Sequence, residues 1–188
     1  MYRHLQVIPL IWLVWALYWW YAARNTKAVE WRETKASRLL NTVPLVAAFI
    51  LLSPSRVSSG AAWHGAAAGA ALYGLGIFLT AAGLLFAVWA RVRLAGNWSG
   101  TVSIKQEHEL VTTGAYAVVR HPIYAGLLLG IAGSALAIGA WRGLAAFALA
   151  SVAIGRRVWV EESAMRRRFG ADYDRYAARV PALLPLPR

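Results

Sequence analysis

The chain has 188 residues, 59% of them hydrophobic and only 15% charged, with ten Trp, no Cys and a formal charge of +12. Charge depletion on this scale excludes an ordinary soluble domain and reads as a membrane protein. Zero Cys excludes disulfides, a thiolate nucleophile and Cys-based metal sites, while basic residues grouped between apolar runs read as loops of a polytopic protein and not as a nucleic-acid surface.

The first uncharged run, His4–Ala23, is long, rich in Trp and Tyr, and lacks a small-residue cleavage site, so it predicts a retained span over residues 5–23 in place of a signal peptide. The run Leu39–Ser55 predicts a second span over 39–55. Val57–Ala90 is too long for one span; its Ser58-Ser59-Gly60 start reads as loop, with a helix over 66–90. A polar loop, 91–122, leads to a fourth span over 123–141. Gly143–Gly155 is too short alone, so a helix from Gly143 must continue through Arg156 and Arg157 to Val160, a length of roughly 27 Å. Trp141-Arg142-Gly143 leaves a tight turn between these last two helices.

Beyond Glu162 the chain becomes amphipathic. Met165, Phe169, Tyr173, Tyr176 and Val180 form a helical stripe among Arg166, Arg167, Arg168, Arg175 and Arg179. The pattern predicts a tail helix over 161–180 lying on the membrane surface with its Arg residues toward anionic headgroups, ended by Pro181, Pro185 and Pro187. The predicted fold is a single all-α integral membrane domain: five transmembrane helices ending in a helical hairpin, with a cytoplasmic C-terminal amphipathic helix.

Five spans place residues 24–38, 91–120 and everything after 155 on one side. That side holds 17 of the Lys and Arg residues, against Arg3, Arg56 and Arg142 on the other. The positive-inside rule makes the first side cytoplasmic, with the N-terminus outside and the C-terminus inside. Small residues at four-residue spacing (Gly126, Gly130, Ser134) and a second set (Gly76, Thr80, Gly83) predict close helix packing and carry no chemistry of their own.

The cytoplasmic side gathers the candidate functional groups. These are His108 and Glu109 in the loop, Tyr116, Arg120, His121 and Tyr124 entering the fourth span, and Arg157, Glu161 and Glu162 leaving the fifth. Ionisable groups at a bilayer edge are costly and mark a functional site. His121 before Pro122 fits a helix start, and Glu161 shares a helical face with Arg157, as a plain ion pair would. No His-Glu-x-x-His or similar spacing is present, so no metal site is expected.

Jointly the run His108-Glu109-Leu110-Val111-Thr112-Thr113-Gly114-Ala115-Tyr116 and the run Arg120-His121-Pro122-Ile123-Tyr124-Ala125-Gly126 resemble the signature of isoprenylcysteine carboxyl methyltransferases. So do Glu161-Glu162, the Phe169-Gly170-x-x-Tyr173-x-x-Tyr176 spacing, Val180-Pro181, and Asn97-Trp98-Ser99 of bacterial-type members. Related phospholipid N-methyltransferases share the Arg-His-Pro-x-Tyr core and the Glu pair. The resemblance spans about residues 91–186 and implies an integral membrane methyltransferase using S-adenosylmethionine and releasing S-adenosylhomocysteine. Matched by position, it implies a cofactor site made by His108, Glu109, Leu110, Val111, Tyr116, Arg120, His121, Pro122, Ile123, Tyr124, Glu161 and Glu162. Glu161 would bind the cofactor's polar end and Arg157 would hold a substrate carboxylate, the two being the residues expected to carry catalysis.

A carboxylate is ionised at neutral pH and needs no general base, so the expected reaction is carboxyl O-methylation of an isoprenylcysteine-like or other lipophilic carboxylate. An amine, as in phospholipid methylation, and a small thiol stay open as acceptors, and His121 is the candidate base for an amine. The expected partners are a lipophilic or lipid substrate and membrane lipids, with no nucleic acid and no obligate protein partner, in a prokaryotic inner membrane. The competing non-enzymatic readings are an inactive membrane scaffold and a small permease. A permease would be expected to carry mid-membrane polar groups and an internal repeat, which the sequence does not show.

Overall fold

A computed structural model describes residues 7–24, 28–53, 66–101, 103–105 and 109–185. In chain order they form α1 (Val7–Ala22), β1 (Val29–Arg32), α2 (Lys35–Leu52), α3 (Ala66–Leu94), β2 (Ser103–Lys105), α4 (Ala115–Val118), α5 (Pro122–Ile138), α6 (Trp141–Phe169) and α7 (Ala171–Arg179). Three helices are long and apolar enough to cross a membrane, in Lys35–Leu52, Gly69–Asn97 and Trp141–Phe169, and two shorter apolar helices, Val7–Ala22 and Pro122–Ile138, accompany them.

The two small-residue stripes meet. A Cβ on Gly83 would lie 2.5 Å from Gly126 O, and one on Gly76 would lie 2.5 Å from Gly133 O, so α3 and α5 run backbone against backbone. Apolar surroundings offer no hydrophobic drive between helices, and close van der Waals contact takes its place. Buried hydroxyls fill the same seam. Thr80 Oγ1 lies 2.8 Å from Gly76 O and 3.2 Å from Ser134 Oγ, Ser134 donates to Gly130 O at 2.8 Å, and Trp12 of α1 donates to Ser134 at 3.0 Å. The Thr80 and Ser134 hydroxyls and the Trp12 N–H all have partners, which is what permits them so deep in the bundle.

Two expectations are corrected. The turn between the last two helices falls at Gly139–Ala140 and not at Trp141–Gly143, because Gly139 takes the left-handed conformation (φ 63°) and donates back to Ala135 O. Arg142 is thereby placed in the first turn of α6, where it donates to Leu51 O and Ser53 O at the end of α2. The tail helix over 161–180 is two helices. α6 continues unbroken to Phe169, Gly170 (φ 51°) turns the chain, and α7 folds back. Its apolar stripe packs against protein: Tyr173 is 2% exposed and clusters with Met165, Ala177 and Leu110. The fold is all-α as expected, with one small added element. β1 and β2 form a two-stranded antiparallel ribbon, pairing Trp31 with Ile104 and Arg32 with Ser103.

The ribbon side is anchored by a polar network. Thr34 caps α2 by accepting from Ser37 N at 3.2 Å. Buried Glu33 accepts from Ser37 Oγ at 2.8 Å and Asn41 Nδ2 at 3.2 Å, and Asn41 Oδ1 accepts from Arg156 of α6 at 2.5 Å. Asn41→Leu removes both ends of this amide bridge between α2 and α6. It is expected to cost about 1–3 kcal/mol, read as a fall of several degrees in the thermal unfolding midpoint in detergent.

Candidate active site

The sequence from Gly114 to Tyr124 builds the floor of the site. Gly114 adopts φ 62°, a conformation that favours glycine, and starts the single turn α4. That turn buries Tyr116 against Ala90, Ala115 and Ile123, with Trp19, Trp98 and Val111 around them. His121 stands at the N-cap of α5 and Pro122 in its first turn, where the missing N–H costs no helical bond. Tyr176 of α7 donates to Tyr116 O at 2.6 Å. Burial raises the Tyr116 phenol well above its ordinary pKa, with Glu161 adding to the effect, and burial pushes Tyr176 up to about 12 against the pull of Arg120. Both phenols therefore stay protonated at physiological pH.

Arg120 and Glu162 are spent on each other. Arg120 donates through Nε (3.0 Å) and Nη2 (2.5 Å) to Glu162 Oε1, and through Nη1 to Ala177 O (3.0 Å) and Val180 O (2.5 Å). His121 Nε2 lies 3.3 Å from the same carboxylate oxygen, and Arg166 reaches the other at 3.3 Å. Backbone bonds complete the clip: Arg120 N donates to Pro181 O at 2.8 Å and His121 N to Ala182 O at 3.0 Å. With both charges buried, this arrangement holds the end of α7 over the start of α5.

Glu161 and Arg157 are differently placed. The Tyr124 hydroxyl donates to Glu161 Oε2 at 2.7 Å and accepts from Arg157 Nε at 2.8 Å, while Arg157 Nη2 donates to Gly100 O at 2.8 Å. The plain Arg157–Glu161 ion pair is thus replaced by a three-residue chain through a phenol. These groups open onto a cavity of about 400 Å³, within the size range of small-molecule sites.

Glu109, Leu110, Val111, Tyr116, Arg120, His121, Pro122, Ile123, Tyr124, Arg157 and Glu161 all line this cavity. Glu162 does not; it supports the wall from behind. His108 lies outside the described residues. No group of three or more His, Cys, Asp and Glu capable of holding a metal occurs among the described residues. Several lining residues were missed by sequence reasoning. Tyr173 and Tyr176 were visible only as motif spacing, and Trp98 only as part of Asn97-Trp98-Ser99. Trp15, Trp19 and Leu45 reach the cavity from α1 and α2, which carry no motif at all. Trp19 stacks on Trp15 (4.6 Å) and meets Trp98 edge-on (5.5 Å).

The family model described as phospholipid methyltransferase matches residues 70–172, a stretch that covers α4, α5, α6 and every residue of the Tyr124–Arg157–Glu161 chain. The chain belongs to the phospholipid methyltransferase family. Within the family's wider relations it is 33% identical over 100 residues to the protein-S-isoprenylcysteine O-methyltransferase of Schizosaccharomyces pombe, covering 52% of this chain and 42% of that protein. It is 33% identical over 94 residues to protein-S-isoprenylcysteine O-methyltransferase B of Arabidopsis thaliana, covering 47% of each. It is 37% identical over 89 residues to the nickel-cobalt-cadmium resistance protein NccN of Alcaligenes xylosoxydans xylosoxydans, covering 45% of this chain and 39% of that protein. This phospholipid methyltransferase family chain therefore spans less than half the length of these curated relatives.

Proposed function

We propose that this chain is an integral membrane methyltransferase that uses S-adenosylmethionine to methylate the carboxylate of a lipophilic, isoprenylcysteine-like acceptor at the cytoplasmic face. The topology that goes with this reading has five spans, the N-terminus outside and the C-terminus inside, in a prokaryotic inner membrane. Seventeen of the twenty Lys and Arg residues then lie on the side where the cavity opens. One observation carries the proposal: Glu161 and Arg157 hold opposite charges on one face of α6, both lining one cavity.

The residues present fit the cofactor. Glu161 offers a carboxylate for a cationic amino or sulfonium group. Trp19 and Trp98 offer aromatic faces, and two buried polar atoms of lining residues, Trp15 Nε1 and Asn97 Oδ1, have no hydrogen-bond partner among the described residues. Buried polar groups without partners cost stability unless a ligand or water meets them. S-adenosylmethionine bound there would supply an electrophilic methyl group on a sulfonium.

The remaining work falls to the protein. Arg157 commits Nε and Nη2 to Tyr124 and Gly100, leaving its Nη1 donors to orient an acceptor carboxylate. An ionised carboxylate needs no base, so alignment and exclusion of water are the main tasks. One turn deeper on the same helix faces, Leu127 and Ile154 line the cavity with Trp15 and Leu45, an apolar surface suited to a lipid tail. A second reading, methylation of an amine, is favoured by His121, which lines the cavity and is bound to Glu162 as an oriented base would be.

Glu161→Ala is expected to weaken binding of S-adenosylhomocysteine to the detergent-purified chain by at least about tenfold, through loss of a charge-assisted contact. Titration calorimetry on both proteins checks it. Unchanged affinity would remove Glu161 from the cofactor site and the proposal with it.

A further inference from the structure

We propose that the Tyr124 hydroxyl is a spacer. It prevents Arg157 and Glu161 from closing on each other, so that each charge stays available to its own ligand. The inference rests on the functional reading above for the identity of the two ligands.

Arg157 and Glu161 stand four residues apart on α6, the spacing at which opposite charges on a helix pair directly. Both are half-buried, where such attraction exceeds that of an open surface. Even so, the structure shows no ion pair between them among the described residues. The Tyr124 oxygen stands between them, donating its single proton to Glu161 at 2.7 Å and accepting from Arg157 Nε at 2.8 Å. A phenol has one proton to give and lone pairs to receive, and this one uses both functions.

The spacer is held from two sides. Its ring stacks on His121 at 5.8 Å with 20° between planes, and His121 is fixed in turn by Glu162. The far end of the Arg157 guanidinium is tied to Gly100 O at 2.8 Å. Without the hydroxyl, Arg157 Nε loses its acceptor and Glu161 its donor. Each then has the other as an opposite charge one helical turn away. An ion pair closed in this way would have to be broken before a cationic group could reach Glu161 or an anionic group Arg157.

This makes Tyr124 a positioning residue, and it predicts a rescue that no simple loss of contact produces. Affinity for S-adenosylhomocysteine is measured by calorimetry on the full chain in detergent for the native protein, Y124F, R157Q and the double variant. Phe at 124 keeps the ring and its stack on His121. Y124F is expected to bind about tenfold more weakly, as when only about a tenth of the molecules keep Glu161 free of Arg157. Adding R157Q should return affinity to within about twofold of R157Q alone, because no cation remains to sequester Glu161. A double variant that binds as weakly as Y124F, or more weakly, overturns the spacer and makes Tyr124 a direct contact or a folding determinant. Unchanged affinity in Y124F likewise overturns it while leaving the cofactor site in place. A native protein that does not bind S-adenosylhomocysteine defeats the functional reading, and this inference falls with it.

Discussion

Glu162→Ala is expected to abolish the cavity by unfolding its wall, at a cost of about 3–5 kcal/mol. Arg120 directs Nε and Nη2 to one Glu162 oxygen and is buried beneath α7. Removing the carboxylate leaves a largely buried guanidinium with the Ala177 and Val180 carbonyls in place of its counter-charge, and deprives His121 of the group that fixes its ring. Against a typical total stability of about 5–15 kcal/mol, that is a large share. The measurement is thermal unfolding in detergent, with S-adenosylhomocysteine binding alongside. Glu162→Gln keeps the shape and removes the charge, so it should fall between the native protein and Glu162→Ala. Arg166, 48% exposed at its side chain, contributes little to this balance. If Glu162→Ala kept the native midpoint but lost binding, Glu162 would be a ligand contact and not a structural clip.

Gly126→Leu is expected to prevent assembly of α3 against α5. A Cβ at Gly126 would lie 2.4 Å from Gly83 O and 2.8 Å from Ala87 N, both backbone atoms that cannot swing aside. The helices must separate, opening the Thr80–Ser134 hydroxyl seam and costing about 3 kcal/mol or more. Gly155 is the matched control: nothing lies within 4 Å of its added Cβ. Gly155→Ala, in the interior of α6, should therefore stabilise by about 0.5–1 kcal/mol. Size-exclusion profile and unfolding midpoint of the two variants give opposite results if the seam is as described.

Local features of the fold were legible in the sequence. His121-Pro122 predicted a helix start because proline restricts the residue before it, and His121 is the N-cap of α5. The four-residue spacing of Gly126, Gly130 and Ser134 predicted packing because it repeats on one helix face, and that face meets α3. What could not be read were pairings between distant segments. β1 is four residues long, and its partner β2 lies across two helices, so no local periodicity announces it. The inward turn of α7 depends on Gly170 and on burial of Tyr173. The composition of the tail alone fits a helix lying on lipid equally well. Within the site, sequence placed Arg157 and Glu161 on one face and stopped there. It had no means of inserting Tyr124 between them, or of showing that Arg120 and Glu162, 42 residues apart, consume each other's charge.

The carbonyls that receive Arg120 belong to Ala177 and Val180, which follow it by 57 and 60 residues. Translation at about 5–20 residues per second separates the two by roughly 3–12 s. During that interval α5 can enter its surroundings, but its leading arginine lacks its carbonyl partners throughout and its carboxylate, 42 residues on, for most of it. The cavity is therefore a late product of synthesis. A ribosome stalled before Val180 would leave a chain with most of its helices and no working pocket.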